Sequence, residues 1–173
     1  STNNVYEYST IAECRKRTGH DPVGTKWLDT NTGDDKSPNY RSRWVAQQYR
    51  RAGVEAIFSA APNIETVRFL LADAASRCRE AGPVKDTVVM VIDIKRAYFY
   101  APARQDIYVK QPPKDPRAQD PSVCGKLLKS IYGTRDAGAN SHATYSAFLK
   151  RIGFCQGIAN PCHFSSAGSA LKG

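Results

Sequence analysis

A chain of 173 residues, 41% of them hydrophobic, is long and apolar enough for a packed domain and too apolar for disorder. Its 25 Lys and Arg against 16 Asp and Glu leave a net charge of +9, which points to a polyanionic partner, most often nucleic acid. No apolar run nears the ~20 residues that cross a bilayer, and the polar start from Ser1 to Ser9 has no signal-peptide pattern, so an intracellular, non-secreted protein without a membrane partner is expected. The chain opens on Ser1 and not Met, and is read as part of something longer.

In chain order, residues 20–40 are loop-like, broken by Asp21-Pro22, Gly24 and Ser37-Pro38-Asn39. A short strand is expected over Thr25–Asp29, a hairpin tip at Gly33-Asp34-Asp35, and a return strand over Arg41–Tyr49. Alternation puts Trp44 and Ala46 on one face of that strand and Arg43 and Val45 on the other. Asn63 is a good N-cap for a helix whose apolar stripe is Ile64, Val67, Leu70, Leu71, Ala74, Ala75 and Cys78, with Gly82-Pro83 to end it. The unbroken run Val88–Ile92 is short and mostly β-branched, which predicts a strand buried on both faces, ending in Asp93. A second short strand is expected over Asp106–Lys110, followed by Pro112-Pro113 and a polar loop through Pro121. The stretch Cys124–Tyr132 then leads to Gly133. A helix over Asp136–Arg151 carries Tyr145, Phe148, Leu149 and Ile152 on one side and stops at Gly153, and Phe164 belongs to a last short strand or loop.

Cys14, Cys78, Cys124, Cys155 and Cys162 are odd in number and form no C-x-x-C pair, so they read as reduced thiols. Cys155, Cys162 and His163 could ligate zinc, but a fourth ligand is missing, and small buried hydrophobes are the preferred reading. Basic residues cluster at Arg15, Lys16 and Arg17, and again at Arg41, Arg43, Arg50 and Arg51.

The informative segment is Asp93-Ile94-Lys95-Arg96-Ala97-Tyr98-Phe99. A carboxylate ending an apolar strand is either solvated, capping a turn or holding a cation, because a buried unpaired charge is costly. The Asp, three residues, then Ala-aromatic-Phe pattern resembles the first catalytic motif of reverse transcriptases. Five further segments resemble the copia-type branch of that family in order. They are Lys26-Trp27, Arg41-Ser42-Arg43-Trp44-Val45-Ala46, Phe58 with Ala61-Pro62 and Glu65-Thr66-Val67-Arg68, Ile107–Pro113, and Leu128-Lys129-Ser130-Ile131-Tyr132-Gly133. Gly153-Phe154 and Asn160-Pro161-Cys162 close the series.

The resemblance implies an α/β (α+β) fold: reverse-transcriptase fingers and a partial palm, a mostly antiparallel sheet backed by helices. Fingers-like parts would fall at 1–60 and 102–128, and palm parts at 61–101, with the first motif, and at 129–173. It implies that Asp93 is the catalytic carboxylate and that Asp93 and Ile94 hold Mg2+. Arg41, Arg43, Ile94, Ala97, Tyr98, Tyr132 and Gly133 would line the deoxynucleotide triphosphate, with Tyr98 excluding a 2′-hydroxyl. The implied partners are an RNA or DNA template–primer, deoxynucleotide triphosphates and the rest of a Pol polyprotein. The implied reaction is templated nucleotidyl transfer with two magnesium ions. The family's Asp-Asp hairpin does not occur before Gly173, so this chain alone is not expected to polymerise DNA. Where the family usually has Gln-Ala-Pro and then Trp, this chain has Asp136-Ala137-Gly138 and then Ser141. The alternative is a catalytically dead or domesticated nucleic-acid-binding remnant.

Overall fold

The computed structural model describes residues 4–49, 57, 61–80 and 88–166, with the side chains of 77–80 left aside. The architecture is mixed α and β, with antiparallel sheets and three helices among the described residues, as the resemblance implies. The chain divides into two interleaved units: Ser1–Ile57 with Arg96–Ser141, and Phe58–Lys95 with His142–Gly173.

In the first unit, strands β1 (Tyr6–Thr10), β4 (Tyr108–Val109) and β5 (Val123–Leu127) form a sheet in the order β1-β5-β4. Its register sets Tyr6 opposite Leu127, Tyr8 opposite Gly125 and Tyr108 opposite Lys126. Neither β1 nor the helix after it, α1 (Ile11–Thr18), is legible in the residue order, because the segment is too polar and too short to show a period. Its signals are at the ends instead. The Thr10 hydroxyl accepts a hydrogen bond from the Glu13 amide at 3.1 Å, and Gly19, at φ +71°, stops the helix by donating to the Arg15 carbonyl at 2.9 Å. Arg15 pairs with Asp21 and Arg17 with Glu13, each at 2.6 Å, so this basic cluster is largely engaged inside the unit.

The arginine hairpin forms as expected, from β2 (Thr25–Asn31) and β3 (Tyr40–Ala46), paired from Thr25–Ala46 to Asn31–Tyr40. The Asn31 side-chain oxygen accepts from the amides of Gly33 and Asn39, closing the loop that contains the expected tip. The core beneath is Ala46, Ile107, Val109, Leu127 and Ile131, with Val5, Tyr6, Val23, Trp44, Phe99 and Ala103 packed on it. Distant segments thus share one apolar interior. The loop after Pro113 is tied down by Asp115, which accepts hydrogen bonds from the hydroxyls of Tyr6 and Tyr8.

The second unit contains α2 (Ile64–Glu80), capped as expected by Asn63, whose side-chain oxygen accepts from the Thr66 amide at 3.0 Å. The expected terminator, Gly82-Pro83, lies outside the described residues. Asn160 donates to both Asn63 and Thr66, at 3.2 and 2.9 Å, fastening the Asn160-Pro161 turn to the start of this helix. Helix α3 (Ala137–Arg151) begins one residue later than expected, and the division between units falls within it. Strands β6 (Cys155–Gln156) and β7 (Phe164–Ser165) pair antiparallel, as Phe164 suggested.

Two expectations fail here. Val88–Ile92 forms no strand, and its residues are 41–87% exposed, not buried on both faces. An apolar run becomes a strand only when another strand accepts its backbone hydrogen bonds, and none of the described strands pairs with it. Likewise Ile64, Val67 and Leu71 of the α2 stripe, and Phe148 and Ile152 near the end of α3, remain exposed. Periodicity identified α2 and α3, but it does not supply the surface that would cover them.

Candidate functional site

Antiparallel pairing decides which hairpin residues share a face. Lys26–Val45, Leu28–Arg43 and Thr30–Arg41 are opposed pairs on one side, while Trp27–Trp44 and Thr25–Ala46 occupy the other. Arg41 and Arg43 therefore project from the same face, as the alternation predicted, with Arg41 exposed.

Arg43 does not stand alone. Its guanidinium carbon lies 5.7 Å from the centre of the Tyr132 ring, within cation–π range. Tyr98 meets the same ring edge-on at 4.8 Å between centroids, and Phe99 meets it at 6.2 Å. Three expected nucleotide-lining residues, Arg43, Tyr98 and Tyr132, are thus brought together from three separate segments. Phe99 also packs on the core.

The local backbone explains how. Arg96 adopts φ +58°, the only non-glycine at positive φ among the described residues, and reverses the chain into the one-turn 3-10 helix Ala97–Tyr100. That turn presents Tyr98 on one side and Phe99 towards the core. The Tyr132-Gly133 turn is held against the end of β3: the Ala46 amide donates to the Tyr132 carbonyl at 2.8 Å and the Gln48 amide to the Gly133 carbonyl at 3.3 Å. The Gln48 side chain in turn accepts from the Arg135 amide at 2.9 Å. Gly133 sits at φ +83°. A Cβ there would run into the Ala46 carbonyl oxygen and lie 2.6 Å from Val45 Cγ1. Glycine permits this close backbone approach, which within this chain is to β3. The roles of Ala46 and Gln48 have no local signal in the residue order: Gln48 meets a residue 87 positions away.

Asp93 and Ile94 belong to the other unit. Asp93 is exposed, so its carboxylate is open to solvent, and Ile94 is exposed as well. Among the described residues no three His, Cys, Asp or Glu side chains gather where a metal ion could sit. One carboxylate is too little for two mutually repelling dications, each needing several oxygen ligands, so these residues by themselves do not fit a two-ion centre. The zinc alternative fails on the same ground. The preferred reading of small buried hydrophobes does not hold there either, because Cys155 is exposed and Cys162 only partly buried; the buried cysteines are Cys14 and Cys124.

Residues 6–169 match the family described as reverse transcriptase (RNA-dependent DNA polymerase), and the chain belongs to that family. It is 27% identical over 149 residues to the retrovirus-related Pol polyprotein from transposon TNT 1-94 of Nicotiana tabacum, a match covering 83% of this chain and 11% of the relative. It is 26% and 25% identical, each over 147 residues, to the Pol polyproteins from transposons RE1 and RE2 of Arabidopsis thaliana, covering 82% of this chain and 10% of each relative. The chain therefore spans about a tenth of the length of these relatives. No solved structure matches it. No helix among the described residues is long and apolar enough to cross a membrane.

Proposed function

We propose that this chain is the nucleotide-holding part of the reverse transcriptase in a retrotransposon Pol polyprotein, which extends a primer on an RNA or DNA template with deoxynucleotide triphosphates. The observation that carries the reading is the convergence of Arg43 and Tyr98 on Tyr132, beside a glycine turn and on the arginine face of the hairpin.

Phosphoryl transfer asks little covalent chemistry of a protein; it asks for positioning and for charge stabilisation. Arg41 and Arg43 present planar guanidinium forks from one face, suited to phosphate oxygens. The Tyr132 ring restrains the Arg43 guanidinium, so less side-chain freedom is lost when a triphosphate arrives. Tyr98, braced edge-on by Tyr132, is the rigid wall that would exclude a ribose 2′-hydroxyl. Magnesium, when bound to the whole polymerase, would supply charge neutralisation at the transferring phosphoryl group, and Asp93 is the ligand this chain would contribute. Template–primer would bind through phosphate contacts, with little sequence preference and strong salt sensitivity.

The test is titration of the purified chain with a fluorescent dTTP analogue, with and without magnesium. Arg43→Ala should weaken binding roughly 10-fold or more, the loss of a charge-assisted contact, and Asp93→Asn should abolish the magnesium dependence. Unchanged nucleotide affinity in both variants, with salt-sensitive duplex binding retained, would instead establish a nucleic-acid-binding module without nucleotide chemistry.

A further inference from the structure

Among the described residues, the buried polar side chains Ser130, Thr134, Asp136, Asn140 and Ser141 lie on and just after the Tyr132-Gly133 turn, up to the start of α3. Burying polar groups is costly unless they satisfy one another, so their arrangement calls for a reason. Asn140 is the hub. Its side-chain nitrogen donates to the Ser130 hydroxyl at 3.1 Å and to the Asp136 carboxylate at 2.9 Å, one proton to each. Ser130, Asp136 and Asn140 are only 2%, 5% and 4% exposed, so water does not compete for these bonds.

Ser130 and Asp136 are the two ends of the segment that carries Tyr132 and Gly133. A single amide group therefore closes the base of that turn. The Ser130 amide also donates to the Ala101 carbonyl at 2.8 Å, immediately after the 3-10 helix that presents Tyr98. The same cluster thereby links the segment bearing Tyr98 to the segment bearing Tyr132. Asp136 Oδ1 accepts no hydrogen bond among the described residues, so the bond from Asn140 to Oδ2 is what holds this buried carboxylate in place.

We propose that Asn140, bridging Ser130 and Asp136, is a positioning residue that sets the Tyr132-Gly133 turn against Arg43 and Tyr98. Its consequence for nucleotide affinity rests on the function proposed above; its consequence for the turn does not. Removing the bridge releases the turn from the end of β3 while the β1-β5-β4 sheet persists.

The experiment is amide hydrogen exchange on the purified chain. The Ala46 and Gln48 amides report the turn, because they donate to Tyr132 and Gly133; the Leu127 and Leu128 amides, which donate to Ile107 and Val5, are the reference. Ser130→Ala should accelerate exchange at Ala46 and Gln48 by about 10-fold relative to the reference, as expected for one lost buried hydrogen bond, and Asn140→Ala, which loses two, by more than that. Asp136→Asn keeps an acceptor for Asn140 and should leave the ratio unchanged. Uniform acceleration of all four amides, or none at Ala46 and Gln48, overturns the proposal. In parallel, dTTP affinity should fall in Asn140→Ala and Ser130→Ala and hold in Asp136→Asn. If Arg43→Ala leaves dTTP affinity unchanged, the nucleotide reading fails, and the exchange ratios still decide the bridge.

Discussion

Replacing Gly133 by alanine tests the central geometry of the site. At φ +83° an L-residue carries a conformational penalty of roughly 1–2 kcal/mol. The new Cβ would also collide with the Ala46 carbonyl oxygen, and it would stand 2.6 Å from Val45 Cγ1 and 2.9 Å from the Ala46 carbonyl carbon. Two of these three contacts are backbone atoms, which no rotamer change can move. The turn must therefore separate from β3, and the hydrogen bonds from Ala46 to Tyr132 and from Gln48 to Gly133 are lost. At about 0.5–1.5 kcal/mol each, they bring the total to roughly 2–5 kcal/mol. Gly19 is the internal control. It also has positive φ, +71°, but a Cβ there would meet nothing within 4 Å, so Gly19→Ala should cost only about 1 kcal/mol. Urea unfolding, read as a midpoint shift at constant slope, compares the two. Equal losses in the two variants would refute the claim that Gly133 is required by its approach to β3.

Other outcomes follow from the same structure. Burial tends to raise the Asp115 pKa, but hydrogen bonds from Tyr6, the Arg117 amide and Tyr8 outweigh it and hold the carboxyl below the usual carboxylate range. Because the folded value is depressed, its stabilisation is fully present above the ordinary carboxylate pKa of ~3.9 and is lost as pH falls through the folded value. Asp115→Asn should therefore flatten the acid limb of the stability–pH profile below about pH 4; an unchanged limb would show that this carboxylate contributes nothing there. Val91 is 87% exposed within an uncharged, β-prone run. Val91→Lys should accordingly leave stability within ~0.5 kcal/mol and reduce concentration-dependent light scattering. A loss of several kcal/mol on unfolding would mean that Val91 is buried after all.

What could be read from the residue order alone was local chemistry. The arginine hairpin needs only alternation and a turn rich in Gly, Asp and Asn, and its faces came out as read. Asn63 announces the start of α2 because a cap acts within three residues of itself. The motif series, from Lys26-Trp27 to Asn160-Pro161-Cys162, pointed to the family to which the chain belongs. Tertiary structure decided everything that depends on partners distant along the chain. Val88–Ile92 has the composition of a buried strand, but burial and pairing belong to whatever lies beside a strand, and composition does not name it. The arginines at 15 and 17 suggested a polyanion, yet Asp21 and Glu13 already hold them. Arg43, Tyr98 and Tyr132 are scattered over three segments and meet only because Ala46, Phe99 and Ile131 pack on one core. Ser130 stands in a motif whose residues do not disclose its bridge, and Asn140 in none, since a polar side chain acquires a structural role only once the fold has taken water away from it.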